Sequence, residues 1–139
     1  MTSNTGWPSA HIIPAELATL VDAFIDLQDR EAGCVLALVT DRHDDLVAPV
    51  IVDEIPVDAD PDDLARLVAH LADIASHLDS QAGLALGVGR PGAARMESGD
   101  ELWSPALASA CAESGVHGLG VAIATPQGVL LADDDAAAA

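Results

Sequence analysis

Lysine and tyrosine are absent from this chain, phenylalanine occurs once, and tryptophan and cysteine occur twice each. With no Lys, all five basic residues are Arg, set against 23 acidic ones, for a formal net charge of −18. Such a surface repels phosphate, which disfavours nucleic acid and anionic membranes as partners. The scarcity of aromatics (Trp7, Phe24 and Trp103) removes the stacking platforms that single-stranded nucleic acids use. Cys34 and Cys111 fit no metal-ligand spacing and read as buried, reduced thiols of a cytoplasmic protein. No apolar run approaches the ~18 residues of a membrane span. Met1–Ser9 lacks the basic start and apolar stretch of a signal peptide. The acidity names no partner, because a GC-rich genome, salt adaptation or simple solubility would each produce it.

What is present suits one domain: 139 residues, half of them apolar. Residues 1–11 read as a flexible polar arm with Trp7-Pro8 as its one sticky point, 12–132 as a single α/β domain, and 133–139 as a disordered acidic and Ala-rich tail. Pro14 fits the first position of a helix, and Leu17, Leu20, Val21, Phe24 and Leu27 follow at helical spacing up to a stop at Gly33. Cys34–Val39 is continuously apolar, the mark of a strand buried on both faces. After the turn residues Asp41–Asp45, Leu46–Val52 reads as its hairpin partner. Pro49 inside that run cannot donate to a ladder, which places the strand at an edge or a bulge. Asp60 caps a second helix with Pro61 at its first position. Its apolar face is Leu64, Leu67, Val68, Leu71, Ile74, Ala75 and Leu78. Leu84–Val88 is a third buried strand. Ser98 and Glu101 make a capping-box pattern for a third helix with Trp103, Leu107, Ala110 and Cys111 inward and Gly115 as its stop. Val116–Ala124 and Val129–Leu131 close the chain as strands joined by a turn at Pro126-Gln127. Helices alternating with strands imply a mixed sheet with helices against its faces.

Few residues carry chemistry. Gly87-Val88-Gly89-Arg90-Pro91-Gly92 fits the string G-x-G-x-x-G, but a dinucleotide site needs those glycines to run straight into a helix, and here Pro91 and a loop intervene. Arg90 and Arg95 are candidates to hold a small anion beside the third helix start, or to pair with the many local carboxylates. Ser98, Asp100 and Glu101 are what a helix N-terminus favours electrostatically. His70 and His77 lie about 10.5 Å apart along one helix, too far for one ion, and His77 with Asp73 reads as a surface pair. His43 sits in an acidic turn without the ligand spacing of a calcium loop. His117 belongs to no nucleophile pattern, and no serine lies in a G-x-S-x-G elbow.

Leu84–Gly92 followed by Ser98-Gly99-Asp100-Glu101-Leu102-Trp103 resembles the metal site of JAB/MPN-type domains, the RadC branch in particular. There the strand ends in His-x-His-Pro-Ser-Gly and a Ser-x-x-Asp opens the next helix. Asp60-Pro61-Asp62-Asp63-Leu64 resembles the family's His-Pro-Arg-Glu-Val helix start. Pro91-Gly92 stands for its Pro-Ser, and Asp100 with Trp103 and Leu107 matches the spacing from its metal Asp once one loop residue is deleted. The resemblance covers about two-thirds of the chain and leaves out the first helix. It implies a three-layer α/β fold, a mixed sheet with flanking helices in the cytidine-deaminase-like layering. It also exposes a departure. The family holds Zn²⁺ on two His and one Asp, with an upstream Glu taking a proton. Here Val88 and Arg90 occupy the His positions, and Glu54 is a poor match for the Glu. A valine cannot coordinate, and a permanently cationic guanidinium repels zinc.

The resulting expectation is a non-catalytic binding or scaffolding module on a degenerate JAB/MPN-like fold, with no cofactor, no catalytic residue and no metal ligand. A homodimer or a protein partner would use apolar surface on the first helix and at Trp103, although both read more simply as core. The alternatives are a metal-dependent hydrolase with a shifted ligand set, Asp100 with His117 or His77, and a small-anion binder at Arg90 and Arg95, with Asp100 beside them.

Overall fold

The computed structural model describes residues 14–43, 45–53, 60–97 and 99–132. Both expected termini, 1–11 and 133–139, therefore lie outside the described residues, as do Glu54 and Ser98. Among the described residues, four α-helices and five strands follow in the order α1 (Pro14–Phe24), α2 (Leu27–Ala32), β1 (Cys34–Thr40), β2 (Leu46–Asp53), α3 (Pro61–Leu78), β3 (Gly83–Gly89), α4 (Trp103–Ser114), β4 (His117–Thr125) and β5 (Gly128–Leu131). The strands form one mixed sheet in the order β2-β1-β3-β4-β5. Only the β3–β4 pair is parallel, because α4 carries the chain back between them.

Every residue of β1 and of β3 is buried, as the unbroken apolar runs predict. The pleat splits them between two cores. Val35, Ala37, Val39, Leu84, Leu86 and Val88 meet α3 and α4 on one face. Cys34, Leu36, Leu38 and Ala85 meet α1 on the other. The two cysteines fall on opposite faces and are both buried and reduced. Each fully buried aliphatic side chain contributes about 1.5–3 kcal/mol relative to exposure. β2 lies at the sheet's edge, where Pro49 faces Leu38 with no ladder donor to lose.

α3 follows the sequence closely. Asp60 accepts from the Asp62 N–H, Pro61 opens the helix, and Leu64, Val68, Leu71, Ala72 and Ala75 are buried. Leu78, expected inward, is 47% exposed, because the helix ends there and the chain turns away at Asp79.

The expected single helix from Pro14 to Gly33 is instead two helices. Asp26 leaves the helical conformation and its carboxylate caps α2, accepting from the Asp29 N–H at 2.9 Å. The break rotates the apolar stripe. Ile25 becomes fully buried, and Leu27, expected inward, is 59% exposed. α1 itself is core, with Leu17, Leu20 and Val21 all buried, so it does not offer the apolar surface expected for a partner.

A glycine explains how close this layer sits. A Cβ on Gly87 would lie 2.8 and 3.0 Å from the two Cγ atoms of Val21, inside contact distance. The neighbouring Gly89 would meet the Cys34 sulfur and Ile25. The first two glycines of the G-x-G-x-x-G string are thus where α1 and the α1–α2 junction touch the sheet.

Candidate functional site

The turn that leaves β3 begins with Arg90, whose backbone N–H donates to Ala124 O and prolongs the β3–β4 ladder by one step. Its side chain follows the parity of Val88, toward the α3 and α4 face. There a single 3-10 turn over Asp100–Leu102 leads into α4 and presents Asp100. The two meet as a buried, bidentate pair. Arg90 Nε donates to Asp100 Oδ1 at 2.7 Å, and Nη2 donates to Oδ2 at 2.7 Å. Arg90 is 7% exposed and Asp100 2%. This fork-to-carboxylate geometry is among the strongest neutralising contacts available to a side chain.

Four of the five N–H groups of the guanidinium are committed to acceptors within the protein. Its Nη1 donates to Pro91 O at 2.9 Å and lies 3.8 Å from Glu97 Oε1, and its Nη2 also donates to Arg95 O at 2.8 Å. Asp100 Oδ2 accepts a further bond from the Glu97 N–H. Gly92, at φ +104°, lets the loop fold over the guanidinium, where a Cβ would come within 3.1 Å of Nη1. The hydrogen bonds that Arg90 donates to Asp100, opposed by burial and assisted by the charges of Asp100 and Glu97, hold the Arg90 pKa above its ordinary value.

The expected site residues therefore divide. Arg90 and Asp100 come together, but with each other. Arg95 contributes a backbone carbonyl to the knot and its residue is exposed. Asp100 does more than favour a helix start: it ties strand, loop and helix. α4 opens at Leu102 without a side-chain cap, and the Ser98 half of the capping box lies outside the described residues. Trp103, expected inward, is 6% exposed and belongs to the core with Leu107, Ala110 and Cys111, so it offers no surface to a partner.

The shifted ligand set is not assembled. His117 pairs with Gly83 at the start of β3, and His77 ends α3 just before that strand. Asp100 lies past the other end, a strand length of roughly 20 Å away. Among the described residues, no three His, Cys, Asp or Glu side chains are grouped to hold a metal. His77 Nδ1 instead meets Asp73 O at 2.8 Å on the exposed face of α3. The acidic turn at Asp41 lines a depression of about 320 Å³ with His43, Asp79 and Gln81. Asp41 Oδ1 accepts from the His43 and Asp45 N–H groups, and Asp79 from that of Gln81. These carboxylates build turns.

A second buried arginine was not anticipated. Arg30, 5% exposed, donates from Nε to Ile25 O, from Nη1 to Thr125 O and from Nη2 to both Asp22 O and Asp22 Oδ1. It satisfies carbonyls orphaned at the end of α1 and anchors them to the last residue of β4. The Asp26–Asp29 cap was the signal available in the sequence for the helix break that creates this need.

Cys111 faces Gly118 from α4, and burial pushes its thiol up to about 11 from 9.0. The folded chain thus keeps the proton that the unfolded chain releases between those values, so this stabilising contribution fades as pH rises through that window. At pH 8 we expect neither Cys34 nor Cys111 to react with Ellman's reagent until denaturant is added, when both do.

The fold and this knot define a three-layer α/β domain whose strand-end turn is closed by a buried ion pair. Compared with known proteins, the chain matches no family model, no curated protein and no solved structure.

Proposed function

We propose that this chain is a non-catalytic binding or scaffolding module on a degenerate JAB/MPN-like, RadC-like frame, working without a cofactor in the cytoplasm. One observation carries the reading: the bidentate Arg90–Asp100 pair. Under the resemblance, Arg90 stands at the second His position and Asp100 at the metal Asp. A guanidinium carried by the chain itself and paired with that carboxylate does what a bound cation does, linking the end of a strand to the start of a helix. The residues present do not fit zinc, since Val88 has no donor atom and Arg90 brings a positive charge. The element order supports the frame too: a hairpin, a Pro-opened helix, the strand bearing Val88, another helix, then a closing strand pair. No helix of the described residues is long and apolar enough to cross a membrane.

Metal analysis tests the reading. Protein purified without chelator is expected to carry no stoichiometric zinc and to melt at the same temperature with or without EDTA. Replacing both residues, Val88→His with Arg90→His, is expected to create a zinc site with Asp100 and a chelator-sensitive melting temperature. Zinc in the unaltered protein, lost with Asp100→Ala, overturns the proposal.

A further inference from the structure

A strand at the edge of a sheet offers its outward N–H and C=O groups to any extended chain that comes alongside, a second copy of itself included. β2 is such a strand. It ends the sheet order, and among the described residues no strand pairs with its outer side. From Leu46 to Val52 it carries no charge, in a chain with 23 acidic residues. Charged side chains are a common defence of an edge, so a defence here lies in the backbone. At the opposite edge, β5 is only four residues long, and a short edge strand offers little to pair with.

The direction of each backbone group in β2 follows from two bonds outside the ladders. The Asp41 N–H donates to Asp45 O across the hairpin, so Asp41 faces β2. Backbone groups alternate sides along a strand, so Val39, Ala37 and Val35 face β2 as well. Beyond β1, the Arg90 N–H donates to Ala124 O, so Arg90 faces β4, as do Val88, Leu86 and Leu84. Gly89, Gly87 and Ala85 therefore face β1, where their partners are Cys34, Leu36 and Leu38. The two routes agree. Leu38 turns its N–H and C=O toward β3, and Pro49, its partner in β2, turns its own backbone outward. So does Ile51, opposite Leu36. The N–H that Pro49 lacks thus falls on the open edge, midway along an eight-residue strand, with the ring carbon Cδ in its place. Two residues earlier the register slips, leaving Val47 unmatched between Leu46 and Ala48. Such a bulge turns an edge further from regular pairing.

We propose that Pro49 keeps β2 from pairing with β2 of a second copy of this chain. In a two-fold antiparallel pairing both strands bring the same gap, so the new ladder lacks a donor from each copy. The net charge of −18 already holds copies apart in dilute salt. The proline acts where that repulsion is screened.

Sedimentation equilibrium at about 1 M NaCl, where the screening length is about 3 Å, tests this. The unaltered chain is expected to stay monomeric. Pro49→Val is expected to dimerise, with self-association at least about tenfold tighter, the worth of one regained hydrogen bond. Pro49→Val with Ile51→Pro moves the proline two positions along the same edge. It is expected to restore the monomer, because the Ile51 N–H points outward and the ladder to β1 loses nothing. A loosened fold would associate in both variants, so the pair separates edge pairing from misfolding. Pro49→Val as monomeric as the unaltered chain overturns the proposal. So does a double variant that dimerises like the single one. Dimerisation of the unaltered chain that Ile51→Pro abolishes overturns it too, by showing the edge already paired.

Discussion

Asp100→Ala is expected to lower the stability of this domain by about 3–5 kcal/mol, measured by urea denaturation. The reason is the charge that remains. Arg90 stays buried at the end of β3 with its partner gone, its Nε without an acceptor and its Nη2 left with Arg95 O alone. The loop also loses the bond from the Glu97 N–H to Asp100 Oδ2. Arg90→Ala is expected to cost a similar amount, by stranding Asp100 instead. The discriminating variant removes both charges. Arg90→Met with Asp100→Leu leaves no ion unpaired, so its loss is expected to be well below the sum of the single losses. A double variant as unstable as that sum would mean that Arg90 and Asp100 act separately, and the closed knot would not be the unit described here.

The second large effect concerns packing. Gly87→Val is expected to destabilise the domain by about 1–3 kcal/mol or more, the range for forcing atoms into a filled interior. The first added carbon already falls 2.8 Å from Val21. Val21 is β-branched and held on a helix, where it has little rotamer freedom. α1 must lift from the sheet to admit the new side chain, and Ile25 must lift with it. Val21→Ala together with Gly87→Val is expected to recover part of the loss, since it clears the contacting atoms. An unchanged denaturation midpoint for the single variant would show that α1 is not seated on β3.

These two sites differ in how much of them the sequence disclosed. The strand over Leu84–Val88 is legible because a continuous apolar run admits one arrangement, burial on both faces. The ends of α3 are legible because Asp60 and Pro61 act on backbone within their own turn. The third helix kept its inward residues for the same reason: Trp103, Leu107, Ala110 and Cys111 follow one period.

The first helix misled, and for a physical reason. Leu17, Leu20, Val21, Phe24 and Leu27 keep helical spacing straight through the break at Asp26. Only the capping bond from the Asp29 N–H to the Asp26 carboxylate marks it, and an Asp three residues before another Asp is common in so acidic a chain. Arg30 was illegible because three of its four acceptors are backbone oxygens, one of them Thr125 O, 95 positions distant. Arg90 and Asp100 were each visible as candidates, ten residues apart across a Pro/Gly turn. Their union depends on the sheet and α4 meeting at that corner, which no local pattern encodes.

Arg30 and Arg90 together use two of the five cations in the chain beneath its surface. Arg42, Arg66 and Arg95 are left outside. Positive charge is scarce here, and two of its five carriers are spent on backbone carbonyls and buried carboxylate inside the fold. The charge that neighbouring molecules meet is predominantly negative, so copies of this chain repel one another most strongly in dilute salt and approach more closely as ions screen them.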